Sequence, residues 1–198
     1  MSDKYVITIS REFASMGRTI AQLMAEILHI PFYDRDIVEA AAKNLNMRVP
    51  EVSNLEEKAN RYFYRSLPLG NGTSDIQDKI FEAQREVILE YTRISSCIIV
   101  GRCADYILQD RPNVMSIHIY SSYEHKYNNC IHNLMMSPKE AEKMIKQVDQ
   151  ARRAYHLNYA KYAPDDIHHR DMLIDSSFLG VEGTAQFLAE LAKKKFGA

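Results

Sequence analysis

Cysteine is scarce in this 198-residue chain, and the three present, Cys97, Cys103 and Cys130, are too irregularly spaced for a disulfide framework or a zinc ribbon. Reduced, buried thiols are the expectation. An excess of one charge is also missing: the formal net charge is -1, which excludes the strongly basic balance of a nucleic-acid binder. No apolar run approaches the roughly 18 residues of a membrane-spanning helix, and the first residues lack the charged-then-apolar pattern of a signal peptide. The expected location is the cytoplasm, with neither a membrane nor nucleic acid as partner. There is no internal repeat, no low-complexity tract and no G-x-S-x-G nucleophile elbow, although a serine or cysteine nucleophile with a histidine base stays open. The seven histidines form no ligand set: His168 and His169 are neighbours, and His125 and His132 stand two helical turns apart.

What is present is a run of short, continuously apolar segments, the form strands take when helices cover both faces of a parallel sheet. Candidates are Tyr5 to Ser10, Pro31 to Tyr33, Cys97 to Val100, Val114 to Tyr120 and Met172 to Asp175. Helical stripes lie between them. Ile20, Leu23, Met24, Ile27 and Leu28 make one face, and Val181, Phe187, Leu188 and Leu191 make another near the end. Alternating strands and helices argue for a doubly wound α/β domain spanning residues 1–198, whose ligands bind where the strands end. Two segments interrupt the alternation. The first, about Asn46 to Thr92, carries Glu56, Glu57, Lys58, Arg61, Arg65 and a loop at Gly70 to Gly72; the second, about Pro138 to Lys161, is a highly charged helical pattern.

The residues after each strand form the candidate site. Strand one runs into Arg11 and then a helix starting near Gly17, Arg18 and Thr19, where free N–H groups and the helix dipole favour an anion. This is the place of a phosphate loop, G-x-x-x-x-G-K-[ST], and the motif is damaged. Counted without gaps from the strand, Arg11 stands at the first glycine, Met16 at the second and Gly17 at the lysine. Reading Gly17-Arg18-Thr19 as the motif's end instead puts Glu12 at the first glycine, so neither frame restores it. An ordinary strand-to-helix turn is the competing reading.

Asp34 and Asp36 follow strand two, where either can accept from a ligand or cap the next helix. Arg102 directly follows strand three, a costly place for a guanidinium unless an anion or an internal carboxylate such as Asp34 or Asp105 pairs with it. In the late charged helix, Asp149 is spaced to pair with Arg152 or Arg153, and because the two arginines point about 100° apart, one of them is left to meet an anion. Tyr155, Tyr159 and Tyr162 read as packing.

Five blocks together resemble the cytidylate kinase-like family, a divergent branch near the nucleoside monophosphate kinases. They are Ile7-Thr-Ile-Ser-Arg-Glu-Phe13, Ile30-Pro-Phe-Tyr-Asp34, Ile99-Val-Gly-Arg102, Val148-Asp-Gln-Ala-Arg-Arg153 and Leu173-Ile-Asp-Ser-Ser-Phe-Leu-Gly-Val-Glu-Gly183. The resemblance implies a three-layer α/β/α P-loop kinase fold with a five-stranded parallel sheet, an acceptor-binding insert at about 46–92 and a lid at about 138–161. It implies ATP and Mg2+ as cofactors and a small nucleotide or phosphorylated substrate, CMP or dCMP by the family's name. It places ATP phosphates on the turn of Ser15, Met16, Gly17, Arg18 and Thr19, with Thr19 also near the metal, and Arg11 joins them by its place after strand one. Asp34 and Arg102 match acceptor-binding residues, and Arg18, Arg152 and Arg153 are the catalytic cations. The chain departs from cytidylate kinases at Gly17, where a lysine is expected, at Ala40, where an arginine is expected, and at Cys103, where an aspartate is expected. Relatives in the divergent branch usually carry glycine at the positions of Ala14 and Met16. An ATP-dependent phosphotransferase in which Arg11 or Arg18 replaces the lysine is the leading expectation. A non-catalytic nucleotide or phosphometabolite sensor and a purely structural interaction protein are the alternatives, and neither the acceptor nor the oligomeric state is legible.

Overall fold

A computed structural model describes residues 4–52 and 72–197. The loop at Gly70 and Asn71 and the charged residues Glu56, Glu57, Lys58, Arg61 and Arg65 lie outside the described residues. Five strands, β1 (Val6–Arg11), β2 (Phe32–Tyr33), β3 (Cys97–Val100), β4 (Val114–Tyr120) and β5 (Met172–Asp175), form one parallel sheet in the order β2-β3-β1-β4-β5. The helices are α1 (Gly17–Leu28), α2 (Arg35–Asn44), α3 (Gly72–Ile94), α4 (Ala104–Ile107), α5 (Tyr123–His132), α6 (Pro138–Ala160) and α7 (Ser176–Phe196), with a further helical stretch at 49–52 and a 3-10 turn at Ile167–His169.

The strands are mostly apolar because alternate side chains enter two different cores. Ile7, Ile9, Ile98 and Val100 face α1 and α7, whereas Val6, Cys97 and Ile99 face Ile37, Val87, Ile88, Ala104 and Leu108 on the opposite side. Each fully buried isoleucine contributes about 1.5–3 kcal/mol through area removed from water. The three cysteines are buried free thiols, and burial pushes the Cys97 thiol up to about 12. In α7 the buried stripe runs through Ala185, Leu188, Ala189 and Ala192, while Phe187, expected on it, is 43 % exposed. α7 lies against α1 and enters the shared core through Ala185, Leu188 and Ala192, and Phe187, about 100° around the helix from Leu188, falls beside that line.

The topology decides where a ligand can sit. From β1 the chain crosses to β2 on one side of the sheet, and from the neighbouring β4 it crosses to β5 on the other. The crevice therefore opens over the C-terminal ends of β1 and β4. The segment after β1 is tied there by hydrogen bonds from Glu12 N and Ser15 Oγ to the carbonyl of Ile119, of 3.0 and 3.2 Å. No helix of the described residues is long and apolar enough to cross a membrane.

Candidate functional site

The loop between β1 and α1 makes left-handed turns at residues other than glycine. Ala14 and Met16 both lie in the left-handed region, at φ 56° and 59°, where a side chain costs energy and glycine does not. Met16 is the N-cap of α1, so Gly17 opens the helix, and the first turn carries no acidic residue. A methionine side chain offers no acceptor to the unbonded N–H groups of that turn. By contrast α5, α6 and α7 are capped by Ser122, Ser137 with Glu140, and Asp175. Replacing Met16 with glycine is expected to stabilise the protein by about 1 kcal/mol by removing left-handed strain, read as a rise in the urea midpoint; an unchanged or lower midpoint would contradict it.

Arginines reach this loop from four segments. Arg11 ends β1, Arg18 stands in the first turn of α1, Arg102 follows β3 and Arg152 comes from α6. Asp34, buried at the end of β2, accepts from Arg18 Nε at 2.6 Å and lies 3.7 Å from Arg11 Nη2. It occupies the N-cap position of α2, but its carboxylate makes no capping hydrogen bond and serves the two arginines instead; Asp36 supplies the negative charge to the first turn. Arg152 Nη1 donates to the Arg11 carbonyl at 3.1 Å. Burial, followed by repulsion from Arg152 and more weakly from Arg102 and Arg18, pushes Arg11 down to about 9 against the opposing pull of Asp34. Burial likewise lowers Arg152, with Asp149 and Asp34 opposing. Asp34 thus pairs directly with Arg11 and Arg18, while Asp149 and Glu12 add negative charge on the side of Arg152. The backbone on the β3 side is also strained, since Gly101, Arg102 and Cys103 are consecutive left-handed residues at φ 77°, 58° and 51°.

One face of α6 covers the loop, through residues spaced at helical intervals. Ile145 packs with Phe13 and Ala14, Asp149 accepts from Phe13 N at 2.5 Å, Arg152 reaches Arg11, and His156 is buried against Asp105. Arg153 points elsewhere and pairs with Asp165 at 2.6 Å on the surface. Sequence spacing suggested Asp149 as a partner for Arg152 or Arg153. Its carboxylate instead holds Phe13 and Lys126, whose Nζ lies 3.0 Å from Asp149 and 2.9 Å from Glu12. Burial raises the Asp149 carboxyl, opposed by its bonds to Phe13 and Lys126. Neither Lys126 nor a role for Glu12 as its partner is legible in the sequence. The signal that could have flagged Lys126 is its place on the inward face of α5, between the buried Asn129 and Cys130 and the cap at Ser122.

A second buried network adjoins the first. Asp105 accepts from His156 Nε2 at 3.0 Å, Tyr162 Oη at 2.8 Å and Arg170 Nη1 at 2.5 Å, so its carboxylate is engaged away from Arg102. Burial alone would raise Asp105, yet His156 and Arg170 hold it well below the usual carboxylate range. Tyr155 and Tyr159 pack with Phe81, consistent with a packing role, but Tyr162 carries a polar one. Ser15, buried, spends its hydroxyl on Glu12 and Ile119 carbonyls, and Thr19 is exposed on the first turn of α1. Beside Arg18, between α1 and β2, opens a recess of about 660 Å³ walled also by Gln22, Glu26, Phe32 and Asp36. That volume lies within the range of small-molecule sites.

Comparison with known proteins places this geometry. No protein of curated function matches the chain by sequence. Among solved structures, an uncharacterized protein from Eubacterium ventriosum is 25% identical with a TM-score of 0.73, the match covering 97% of this chain and 99% of that one. A shikimate kinase from Bacteroides thetaiotaomicron shares the fold at 12% identity and a TM-score of 0.58, over 96% of this chain and 98% of that one. A gluconokinase from Sinorhizobium meliloti does so at 12% identity and a TM-score of 0.52, over 98% and 96%. The fold is thus that of the P-loop kinases. The model of the cytidylate kinase-like family matches residues 6–178, and the chain belongs to that family.

Proposed function

We propose that this protein is an ATP-dependent phosphotransferase of the nucleoside monophosphate kinase type, acting on a small phosphorylated acceptor with CMP and dCMP as the first candidates. The observation that supports it is the gathering of Arg11, Arg18 and Arg152 at the end of β1, where Arg11 and Arg152 are buried and repel each other and Asp34 pairs with Arg11 and Arg18. Repulsion between buried guanidinium groups is relieved when phosphate oxygens enter between them.

Nucleotide phosphates suit the donors present: uncapped N–H groups at the start of α1, a left-handed loop backbone and several guanidinium groups. Ser15 shapes the turn, and Met16, Gly17 and Arg18 present the backbone to the phosphates. Magnesium bound with the nucleotide neutralises phosphate charge, and Thr19, with its exposed hydroxyl, is the residue we assign beside it. On the acceptor side Arg102 forks across the phosphate of the acceptor and Asp34 accepts from its polar edge. An acceptor oxygen then displaces ADP from the γ-phosphorus. Charge develops on the equatorial and bridging oxygens, where Arg18 and the lid arginine Arg152 stabilise it, with Arg153 reaching the site only on leaving Asp165. α6 acts as the lid and excludes water.

One observation favours a second reading, that of a non-catalytic nucleotide or phosphometabolite sensor: the loop N–H of Phe13 is already taken by Asp149. Incubation with Mg-ATP and CMP, dCMP, UMP, AMP or phosphorylated metabolites, with chromatographic separation, decides between them. A new phosphorylated product with matching ADP is the expected result. Ligand-induced thermal stabilisation without product would favour the sensor and overturn the enzyme.

A further inference from the structure

We propose that the cation of the phosphate loop has been transposed rather than lost, so that Arg11, at the motif's first-glycine position, supplies through the space above Gly17 the charge that a lysine at 17 would supply. The inference rests on the phosphotransferase reading above and names the residue that contacts the phosphates of the donor nucleotide.

The packing around Arg11 carries it. A Cβ added to Gly17 would stand 2.7 Å from Arg11 Cβ and 3.3 Å from its Cγ, so side chains from positions 11 and 17 leave from practically one point. Only one long side chain can occupy that path. In the usual motif glycine stands at 11 and lysine at 17; here arginine stands at 11 and glycine at 17. The far end of Arg11 requires a second glycine. A Cβ at Gly101 would collide with Nη1, so the stem passes Gly17 and the head passes Gly101. Two glycines from different strands' loops therefore clear one track for one guanidinium. At its end the head faces Asp34 at 3.7 Å, near three other arginines.

Arg18, the other cation available to replace the lysine, is engaged sideways. Its Nε binds Asp34 at 2.6 Å, its side chain is 54% exposed, and its guanidinium lies 5.7 Å from the Phe32 ring centre, at the edge of the sheet. Arg11 lies deeper, on the path that begins over the helix start.

A swap experiment tests the transposition. Calorimetric affinities for Mg-ATP and for adenosine, with thermal midpoints, are compared among wild type, Arg11→Gly, Arg11→Met, Gly17→Lys and the double variant Arg11→Gly/Gly17→Lys. Arg11→Met keeps the stem over Gly17 and loses the charge, so it is expected to remain folded and to bind ATP about tenfold to a hundredfold more weakly, with adenosine affinity unchanged. Gly17→Lys alone is expected to lower the midpoint and ATP binding together, because the two stems collide. The double variant, with glycine and lysine in their usual places, is expected to recover midpoint and ATP affinity above both single variants. Wild-type ATP binding that survives Arg11→Met unchanged, or a folded double variant no better than Arg11→Gly, overturns the transposition and leaves the phosphotransferase reading standing. A wild type that binds no nucleotide overturns that reading and the transposition with it.

Discussion

Alanine at both Arg102 and Arg152 is expected to reduce phosphotransfer by at least about a thousandfold, most of it in kcat. The two residues approach from opposite sides, Arg102 from the strained turn after β3 and Arg152 from the inward face of α6. Neither can stand in for the other. Arg102 positions the acceptor, so its single replacement is expected to raise KM as well as lower kcat. Arg152 meets charge that develops during transfer, so its replacement is expected to act mainly on kcat. Arg152→Lys restores charge without the fork and should recover only a small part of the loss. Arg153→Ala supplies the contrast: with its guanidinium on Asp165 at the surface, it is expected to cost far less. Phosphotransfer that survives the Arg102 and Arg152 replacements would place the chemistry elsewhere.

Asp105→Ala is expected to destabilise the fold by about 3–5 kcal/mol, the cost of leaving a buried charge without its partner. Arg170, whose side chain is 0% exposed, would lose its carboxylate, and His156 and Tyr162 would lose an acceptor at the same time. That cost is a large fraction of the stability of a domain this size. Removing the cation along with the anion should be less damaging. Asp105→Ala/Arg170→Met is therefore expected to be more stable than Asp105→Ala alone, a coupling that a double-mutant cycle in urea measures. Additive losses would mean that the pair contributes nothing as a pair. The consequence extends to the candidate site, because His156 lies one helical turn beyond Arg152 and fixes the end of α6 that carries it.

The strand positions were legible because each is a short, largely apolar run, fully buried in β3 and over most of β1, a pattern that needs no long-range information. The stripe of α1 was legible for the same reason. That of α7 was misread at Phe187, because Phe187 and Leu188 are adjacent apolar residues about 100° apart and only the packing against α1 shows which of them faces inward. At the strand ends, Asp34, Arg18 and Arg102 could be named from position alone, but capping was a fair expectation for Asp34 until the two arginines were seen to take its carboxylate. Which of Arg152 and Arg153 faces inward depends on the rotation of α6, set by Ile145 against Phe13 and His156 against Asp105. The bridge from Lys126 to Glu12 and Asp149 joins positions 114 and 23 residues apart, and no local pattern encodes it. Damage to the loop motif was plain in the sequence. The clearance that Gly17 and Gly101 give Arg11 became visible only when two loops distant in the chain were brought together.

The central claim is that a loop without lysine holds nucleotide phosphates through arginines gathered from several strand ends. The most direct test is a calorimetric comparison of ATP, ADP, AMP and adenosine on the full chain in magnesium, at two salt concentrations. The account expects saturable binding that strengthens with each added phosphate and weakens at higher salt. ATP binding no tighter than adenosine, at either salt concentration, would contradict it.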